Sequence, residues 1–376
     1  MIPTATITFA VIAGGGTSGH VVPALAIAEL LGEAGHSRDS IHLVGSDRGA
    51  EVQLFANSGH DYTLFRVSGL QRSLKPRQLA RTAAMVPQII LATRSAKKLL
   101  RQLRPRVVVS VGGYASIPAV RAARALNVPV VTCSYDRRPG LATIVQSRSA
   151  KVSAVAYLPS SLQRAKLTGA PVRASLRHLD RATRRNAARG NLQIPQDRQV
   201  VVVMGGSLGS AVLNSALEGA LKTWSLRDDL AVLHIAGARY LDEQVPTLPQ
   251  GSALWYRRIA YCENMADLYA AADLVVARSG ASTVAEIATV GIAAILVPWK
   301  DSAENHQLTN AQSLTSQGGA VMLSETELSS ESLRTAVDGL LLHPETLLAV
   351  SAQARKLGEV HRNCSIARVI EEAARR

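Results

Sequence analysis

Short apolar runs alternate with amphipathic stretches along the whole chain. Residues 6–13 form a β-rich run that breaks at Gly14-Gly15-Gly16-Thr17-Ser18-Gly19-His20, and residues 23–31 then place their apolar side chains at helical spacing until Gly32. The order is strand, glycine loop, helix. Further Val/Ile-rich runs at 41–44, 107–111 (ending in Gly112-Gly113) and 128–132 read as strands with helical stretches between them. Strands that are apolar throughout, rather than on alternate residues, are covered on both faces, which predicts a parallel sheet flanked by helices.

From about 174 to 198 the pattern decays into a polar stretch with no apolar period, ASLRHLDRATRRNAARGNLQIPQDR, which reads as a linker. The first pattern then restarts. Residues 199–204 form a strand, Gly205-Gly206-Ser207-Leu208-Gly209-Ser210 a second glycine loop, and 211–221 a helix, followed by strands at 231–235, 274–277 and 293–297. The expected organisation is a first α/β domain over 1–175 and a second over 190–350. A terminal helix over about 356–376 is expected to pack back on the first.

With 376 residues, 47% of them hydrophobic and 19% charged, the chain is long enough for two cores and too apolar for disorder. The longest uncharged apolar stretches, such as 287–299, fall well short of the roughly 20 residues a membrane-spanning helix needs. The first residues lack a basic leader and run straight into the glycine loop, so they read as a strand rather than a signal peptide, with the cytoplasm as the expected compartment. Cys133, Cys262 and Cys364 are odd in number and lack metal-ligand spacing, which favours reduced, buried thiols.

Charge divides sharply by position. Residues 1–180 hold 23 Lys/Arg against 8 Asp/Glu, a net of +15, whereas 181–376 hold 19 against 20. No carboxylate occurs between Asp61 and Asp136, while Arg66, Arg72, Lys75, Arg77, Arg81, Arg94, Lys97, Lys98, Arg101, Arg104, Arg106, Arg121 and Arg124 do. Such a surface suits an anion: nucleic-acid phosphates or anionic lipids. Aliphatic residues interleaved with the cations (Leu74, Leu79, Met85, Val86, Ile89, Ile90, Leu91) and a shortage of aromatics for base stacking favour anionic membrane lipids over nucleic acid. A solvated helix face over ordinary core residues is the plainer alternative.

Gly14-x-Gly16-x-x-Gly19 satisfies the dinucleotide fingerprint in its strand-to-helix context. The acidic residue such a site wants after its second strand is missing in place, Asp47 coming late, which disfavours an NAD-dependent oxidoreductase. His20 then needs another role, chemical or as a local hydrogen-bonding residue. In the second half, Gly205-Gly206-Ser207 forms an anion nest and Arg278-Ser279-Gly280-Ala281-Ser282-Thr283-Val284-Ala285-Glu286 follows a strand. Ser279, Ser282 and Thr283 offer caps and phosphate donors. Glu286, about one turn into the helix, could grip two ribose hydroxyls or simply complement the helix dipole.

These segments together resemble the MurG family: Gly15-Gly16-Thr17-Ser18-Gly19-His20-Val21-Val22-Pro23-Ala24, Gly112-Gly113-Tyr114, Gly169-Ala170-Pro171-Val172-Arg173, the second glycine loop, Ser279 through Glu286, His306-Gln307 and Asn310-Ala311. The resemblance runs in order to about Leu323. It implies a GT-B fold, two Rossmann-like parallel-sheet domains facing across a cleft, at the cytoplasmic face of the cell membrane as a peripheral protein. It also implies transfer of N-acetylglucosamine from UDP-GlcNAc to the C4 hydroxyl of a muramyl-pentapeptide on undecaprenyl diphosphate. Other cell-wall enzymes join the expected partners, and no cofactor or metal is expected, since the sequence has no Asp-x-Asp pair.

By the same resemblance Glu286 would hold the ribose, Cys262 would meet uracil through its backbone, and Ser207 and Arg173 would hold the diphosphate. Ala281, Ser282, Thr283, Val284 and Ala285 would line the donor. Gln307 would contact the sugar, Thr17, Ser18 and Gly19 would lie beside it, and His20 would be the base. The chain departs from the family's His-Glu-Gln-Asn run, carrying Cys133-Ser134-Tyr135-Asp136 instead, so Asp136 takes the place of a sugar-contacting Asn, either gripping the sugar differently or sharing base character. Leu208 stands where Gln is usual and Ala170 where Asn is. A related transferase with another lipid or small-molecule acceptor, and a catalytically silent UDP-sugar binder, are the competing readings.

Overall fold

The continuous Val/Ile runs do form parallel strands, and they sort into two sheets belonging to two compact units. The computed structural model describes residues 8–16, 18–48, 51–67, 76–206, 208–240 and 246–375, leaving aside the side chains of Ser18, Glu51 and residues 76–86. One unit is Met1–Ala174 with Asn363–Arg376, and the other is Ser175–Arg362.

The first unit carries β1 (Ala10–Ala13), β2 (Ile41–Ser46), β3 (Asp61–Phe65), β4 (Val107–Ser110), β5 (Val130–Ser134), β6 (Val152–Val155) and β7 (Ala165–Leu167). Among the described residues they pair in the order β3-β2-β1-β4-β5-β6-β7, all parallel. Helices α1 (Ser18–Glu33), α2 (Glu51–Ala56), α3 (Pro76–Leu103), α4 (Ile117–Ala125) and α5 (Leu141–Ser147) supply the crossovers. Val11, Ala13, Val44 and Val108 pack with Ala92, Ala96 and Leu100 of α3 and Ala119 and Ala123 of α4. Each fully buried Val or Leu contributes about 1.5–3 kcal/mol of transfer free energy.

The second unit repeats the plan with β8 (Gln199–Met204), β9 (Leu230–Ile235), β10 (Trp255–Ile259), β11 (Leu274–Ala277), β12 (Ala293–Leu296) and β13 (Val321–Met322), ordered β10-β9-β8-β11-β12-β13. Its helices are α6 (Ala174–Arg177), α7 (Arg181–Asn191), α8 (Ala211–Thr223), α9 (Met265–Ala271), α10 (Ala281–Val290), α11 (His306–Thr315), α12 (Ser330–Leu341), α13 (Pro344–Leu357) and α14 (Glu359–Arg362). A final helix, α15 (Ile366–Ala374), belongs to the first unit and packs on α1, β4 and β6.

Two expectations are corrected. The stretch read as a linker holds α6 and α7, the latter started by the Asp180 side chain, which accepts from Ala182 and Thr183 N–H. Its apolar period is missing because arginines do the docking. Arg184 pairs with Asp267 at 2.6 Å, Arg185 and Arg189 pair with Asp273 at 2.6 and 2.9 Å, and Arg181 donates to the Tyr269, Gly291 and Ala272 carbonyls. Arg189, with its side chain 1% exposed, also donates to the Gln196 and Arg198 carbonyls, the dense satisfaction that burying a charge requires. The single terminal helix expected over 356–376 breaks at 363–365, where Ser365 N–H donates to the Thr168 carbonyl and Cys364 Sγ lies 3.7 Å from the Gly169 oxygen.

Candidate functional site

Parallel α/β sheets leave a crevice where the strand order reverses, outside the carboxyl ends of the strands. In the first unit that point lies between β1 and β4, and the loops there hold most of the residues picked out near His20. The β1 loop Gly14-Gly15-Gly16 leads into α1, which begins at Ser18. Thr17 and the Ser18 side chain lie outside the described residues. After β4, Gly112 and Gly113 adopt φ of 89° and 72°, in the region that favours glycine. A Cβ at Gly113 would stand 2.7 Å from His20 Cδ2, so the ring occupies space that only glycine leaves free.

His20 is half-buried in the first turn of α1. Its Nδ1 lies 2.7 Å from the Tyr135 hydroxyl, which itself donates to the Gly19 carbonyl. Burial pushes the His20 pKa below its ordinary value, opposed by the Asp136 carboxylate and the Val111 carbonyl, so the neutral imidazole is favoured. Tyr135, 4% exposed, is raised well above the phenol range by burial, with the Asp136 and Cys133 groups adding to it, and keeps its proton. Asp136 follows β5 directly and is half-buried. Arg173 is in this unit too, its Nε 2.6 Å from Glu29 Oε1 of α1, with Ala174 N–H donating to the other Glu29 oxygen.

In the second unit the order reverses between β8 and β11, and here the donor candidates gather. Ser207 lies outside the described residues. Around it the loop is held tightly: Gly209 has φ of 75°, and a Cβ there would run into the Ala236 carbonyl. Ser210 caps α8, its side chain accepting from Leu213 N–H. After β11, α10 begins at Ala281 with Gly280 as N-cap and no side-chain cap. The Ser282 hydroxyl there is buried and finds no partner among the described residues. Uncapped N–H groups beside an unsatisfied hydroxyl at a helix N-terminus suit an anion.

Ala281, Val284 and Ala285 anchor α10 in the core, while Ser282, Thr283 and Glu286 remain half-buried. Glu286 Oε2 accepts from the Tyr269 hydroxyl at 3.0 Å, and Tyr269 is fully buried. Burial and the Glu286 charge raise Tyr269 well above the phenol range, so it serves as a fixed donor that orients the carboxylate. Cys262 follows β10 with its thiol buried and 3.4 Å from the Asn264 carbonyl oxygen. Gln307, on α11, accepts from Trp299 N–H through Oε1 and from the Ser279 hydroxyl through its backbone oxygen.

Three residues with no role assigned from sequence are central to this geometry: Tyr135, Tyr269 and Arg278. Arg278, 8% exposed, donates to Glu325 Oε2 at 2.6 Å, to Ser210 Oγ at 2.7 Å and to the Val297 carbonyl, tying the glycine loop to the strand ends beside it. The altered run at 133–136 signalled Tyr135. Tyr269 and Arg278 are legible only once the loops are placed in space. Among the described residues, no cluster of three or more His, Cys, Asp or Glu is arranged to hold a metal ion. No described helix is long and apolar enough to cross a membrane.

Residues 10–155 match the glycosyltransferase family 28 N-terminal domain, and residues 200–364 the glycosyltransferase family 28 C-terminal domain. A Desulforudis audaxviator protein, named UDP-N-acetylglucosamine--N-acetylmuramyl-(pentapeptide) pyrophosphoryl-undecaprenol N-acetylglucosamine transferase, is 34% identical over 97% of this chain and 98% of its own. A Mycobacterium bovis protein of the same name is 36% identical over 96% of this chain and 88% of its own. The crystal structure of Acinetobacter baumannii MurG superposes with a TM-score of 0.69 at 27% identity, covering 97% of this chain and 99% of that one. The fold is therefore GT-B.

Proposed function

The chain belongs to the MurG family of glycosyltransferases, and on that premise we propose that it transfers N-acetylglucosamine from UDP-GlcNAc to the C4 hydroxyl of an undecaprenyl-diphosphate-linked muramyl-pentapeptide. The observation that carries this reading is the similarity, along 96–97% of the chain, to enzymes named for that transfer. A different acceptor draws support only from the altered run at 133–136, and is not favoured.

The chemistry follows from groups already placed. The neutral His20 imidazole removes the acceptor hydroxyl's proton as its oxygen bonds to the anomeric carbon, the bond to the diphosphate breaks, and its electron pair leaves with UDP. Attack from the face opposite the leaving group inverts an α-linked donor to a β-linked product. The diphosphate charge is met by the α10 N-terminus, the Ser282 hydroxyl, the Ser207 loop and Arg173, in place of a metal ion. Glu286, oriented by Tyr269, takes the ribose hydroxyls; the Cys262 backbone takes the base; and Gln307, with Thr17, Ser18, Gly19 and Asp136, takes the sugar.

The acceptor's lipid places this activity at a membrane surface as a peripheral association. Arg94, Lys98, Arg101 and Arg104 are exposed on or just beyond α3, Arg121 and Arg124 on α4 packed beside it, and Ile90 and Leu91 project among them at 43% and 59% exposure. Cations around projecting aliphatic side chains suit an anionic lipid leaflet, each cation contributing about 1 kcal/mol near such a surface. Other cell-wall enzymes are further partners on this reading, and nucleic acid is not.

The test is UDP release from UDP-GlcNAc with a short-chain analogue of the lipid-linked muramyl acceptor. His20→Ala should slow turnover by roughly 10²–10⁴, and Glu286→Ala should greatly slow it through loss of donor binding. UDP release that neither change affects would overturn the site assignment. Turnover only with a different acceptor would overturn the substrate.

A further inference from the structure

The orientation of the His20 ring traces back to a proline. Pro23 lies within α1 and has no N–H, so it cannot make the helical bond to the carbonyl four residues earlier, that of Gly19. The Tyr135 hydroxyl takes the place of that N–H and donates to the Gly19 oxygen. A phenol has one proton, and a carbonyl oxygen can only accept. With the Tyr135 proton directed at Gly19, the 2.7 Å contact between Tyr135 Oη and His20 Nδ1 is a hydrogen bond only if Nδ1 carries the hydrogen and donates. A neutral imidazole has a single N–H, so the lone pair is left on Nε2.

We infer that Tyr135 is a positioning residue for the transfer, holding His20 in the Nδ1–H tautomer and thereby making Nε2 the atom that accepts the acceptor hydroxyl's proton. The reaction served is the one proposed above, whereas the tautomer rests on geometry alone. Glycine in the turn after β4 keeps a side chain off the Nε2 edge: a Cβ at Gly113 would stand 3.1 Å from Nε2. When the hydroxyl proton moves to Nε2, the other hydrogen stays on Nδ1, still donated to Tyr135 Oη, the new C–O bond forms, and the electron pair of the broken bond departs with UDP. The imidazolium so formed faces the Asp136 carboxylate and the Val111 carbonyl, both of which favour it. Among the described residues, Tyr135 and Asp136 are the titratable side chains set against the ring, and the β4 turn brings none. Glutamine, present at this place in the family's run, offers the same pairing of one acceptor with one donor.

The experiment combines kinetics with ¹⁵N NMR of the histidine side chains in the full-length protein, His20 being identified by the signals lost in His20→Gln. The wild type should show Nδ1 protonated and Nε2 bare. Tyr135→Phe, which keeps the ring packing, should lose that preference and lower kcat roughly 10- to 100-fold, a fraction of what full loss of a general base costs. Its KM for UDP-GlcNAc should stay within about two-fold, because Tyr135 itself is assigned no contact with the donor. Tyr135→Gln should recover tautomer and rate together. An Nε2-protonated His20 in the wild type, or Tyr135→Phe turning over at the wild-type kcat, would overturn the inference. If the wild type transfers no sugar to the polyprenyl-linked acceptor, the proposed function fails, while the NMR measurement, which needs no substrate, still decides the tautomer.

Discussion

Arg278 offers a direct test of how the donor half is built. Its side chain and that of its partner Glu325 are 10% and 5% exposed, and the guanidinium joins Glu325, Ser210 and the Val297 carbonyl in one cluster. Arg278→Met preserves most of the volume and removes the charge. It leaves the Glu325 carboxylate buried with the Lys300 N–H, at 3.1 Å, as its remaining bond in this cluster. Breaking a buried pair from one side costs about 3–5 kcal/mol, most of it the uncompensated charge rather than the lost attraction. Neutralising the partner as well, in Arg278→Met with Glu325→Gln, should therefore return much of that loss, with a coupling of roughly 2–3 kcal/mol. Urea denaturation followed by tryptophan fluorescence is the assay. Trp224, Trp255 and Trp299 are the three tryptophans of the chain and all fall in Ser175–Arg362, so the signal reports this unit alone. The free Ser210 hydroxyl should also loosen the glycine loop and raise the KM for UDP-GlcNAc. A coupling below about 0.5 kcal/mol, typical of independent sites, would refute this account of the cluster.

The same unit should lose stability in mild acid. His234, bonded to Tyr256 and Asn214, and His361 are both buried, and burial lowers each to about 4 from an ordinary 6.5. The unfolded chain binds these protons first, so the stability is intact above 6.5 and falls as the pH drops towards 4, by about 2 kcal/mol per histidine between pH 7 and pH 5. Urea midpoints at the two pH values check it, and His361→Gln should roughly halve the difference, leaving the share of His234. Asp136→Asn should move the acid limb of the kcat/KM profile to lower pH, because the Asp136 carboxylate raises His20 against the dominant effect of burial. A limb that moved to higher pH would contradict the electrostatics assigned to that pair.

Central strands and glycine turns were readable in sequence because both leave unambiguous marks. β1, β11 and β12 are buried on both faces and uniformly apolar, as are β4 and β8 apart from Ser110 and Gln199 at one end of each. The outer strands escaped for the opposite reason: β3, β7, β10 and β13 are partly exposed and carry Asp, Lys, Arg or a mere two residues, so no run of Val and Ile announces them. Helix α7 was hidden because its docking groups are guanidiniums, which a hydrophobic period cannot detect. His20 and Glu286 could be singled out as candidates since each lies at a fixed offset from a glycine turn. Tyr135 and Tyr269 could not be tied to them, because a hydrogen bond spanning 115 residues, as between His20 and Tyr135, has no signature in local spacing.

The charge split has a structural meaning that composition alone concealed. The second unit is not poor in arginine. Several of its arginines are tied up within it: Arg181 and Arg189 onto backbone carbonyls, Arg184 and Arg185 onto Asp267 and Asp273, Arg227 onto Asp229 and Asp338, and Arg278 onto Glu325. Each such arginine has its charge matched or its donors filled within the unit, so the field it projects into solvent is small. In the first unit Arg94, Lys98 and Arg101 of α3 and Arg121 and Arg124 of α4 stand exposed in a stretch without a single carboxylate between Asp61 and Asp136, so their fields add. One residue type thus does two jobs on two copies of one fold: in one it is tied to carboxylates and backbone carbonyls within the unit, and in the other it stands exposed on neighbouring helices, the surface we propose for an anionic membrane.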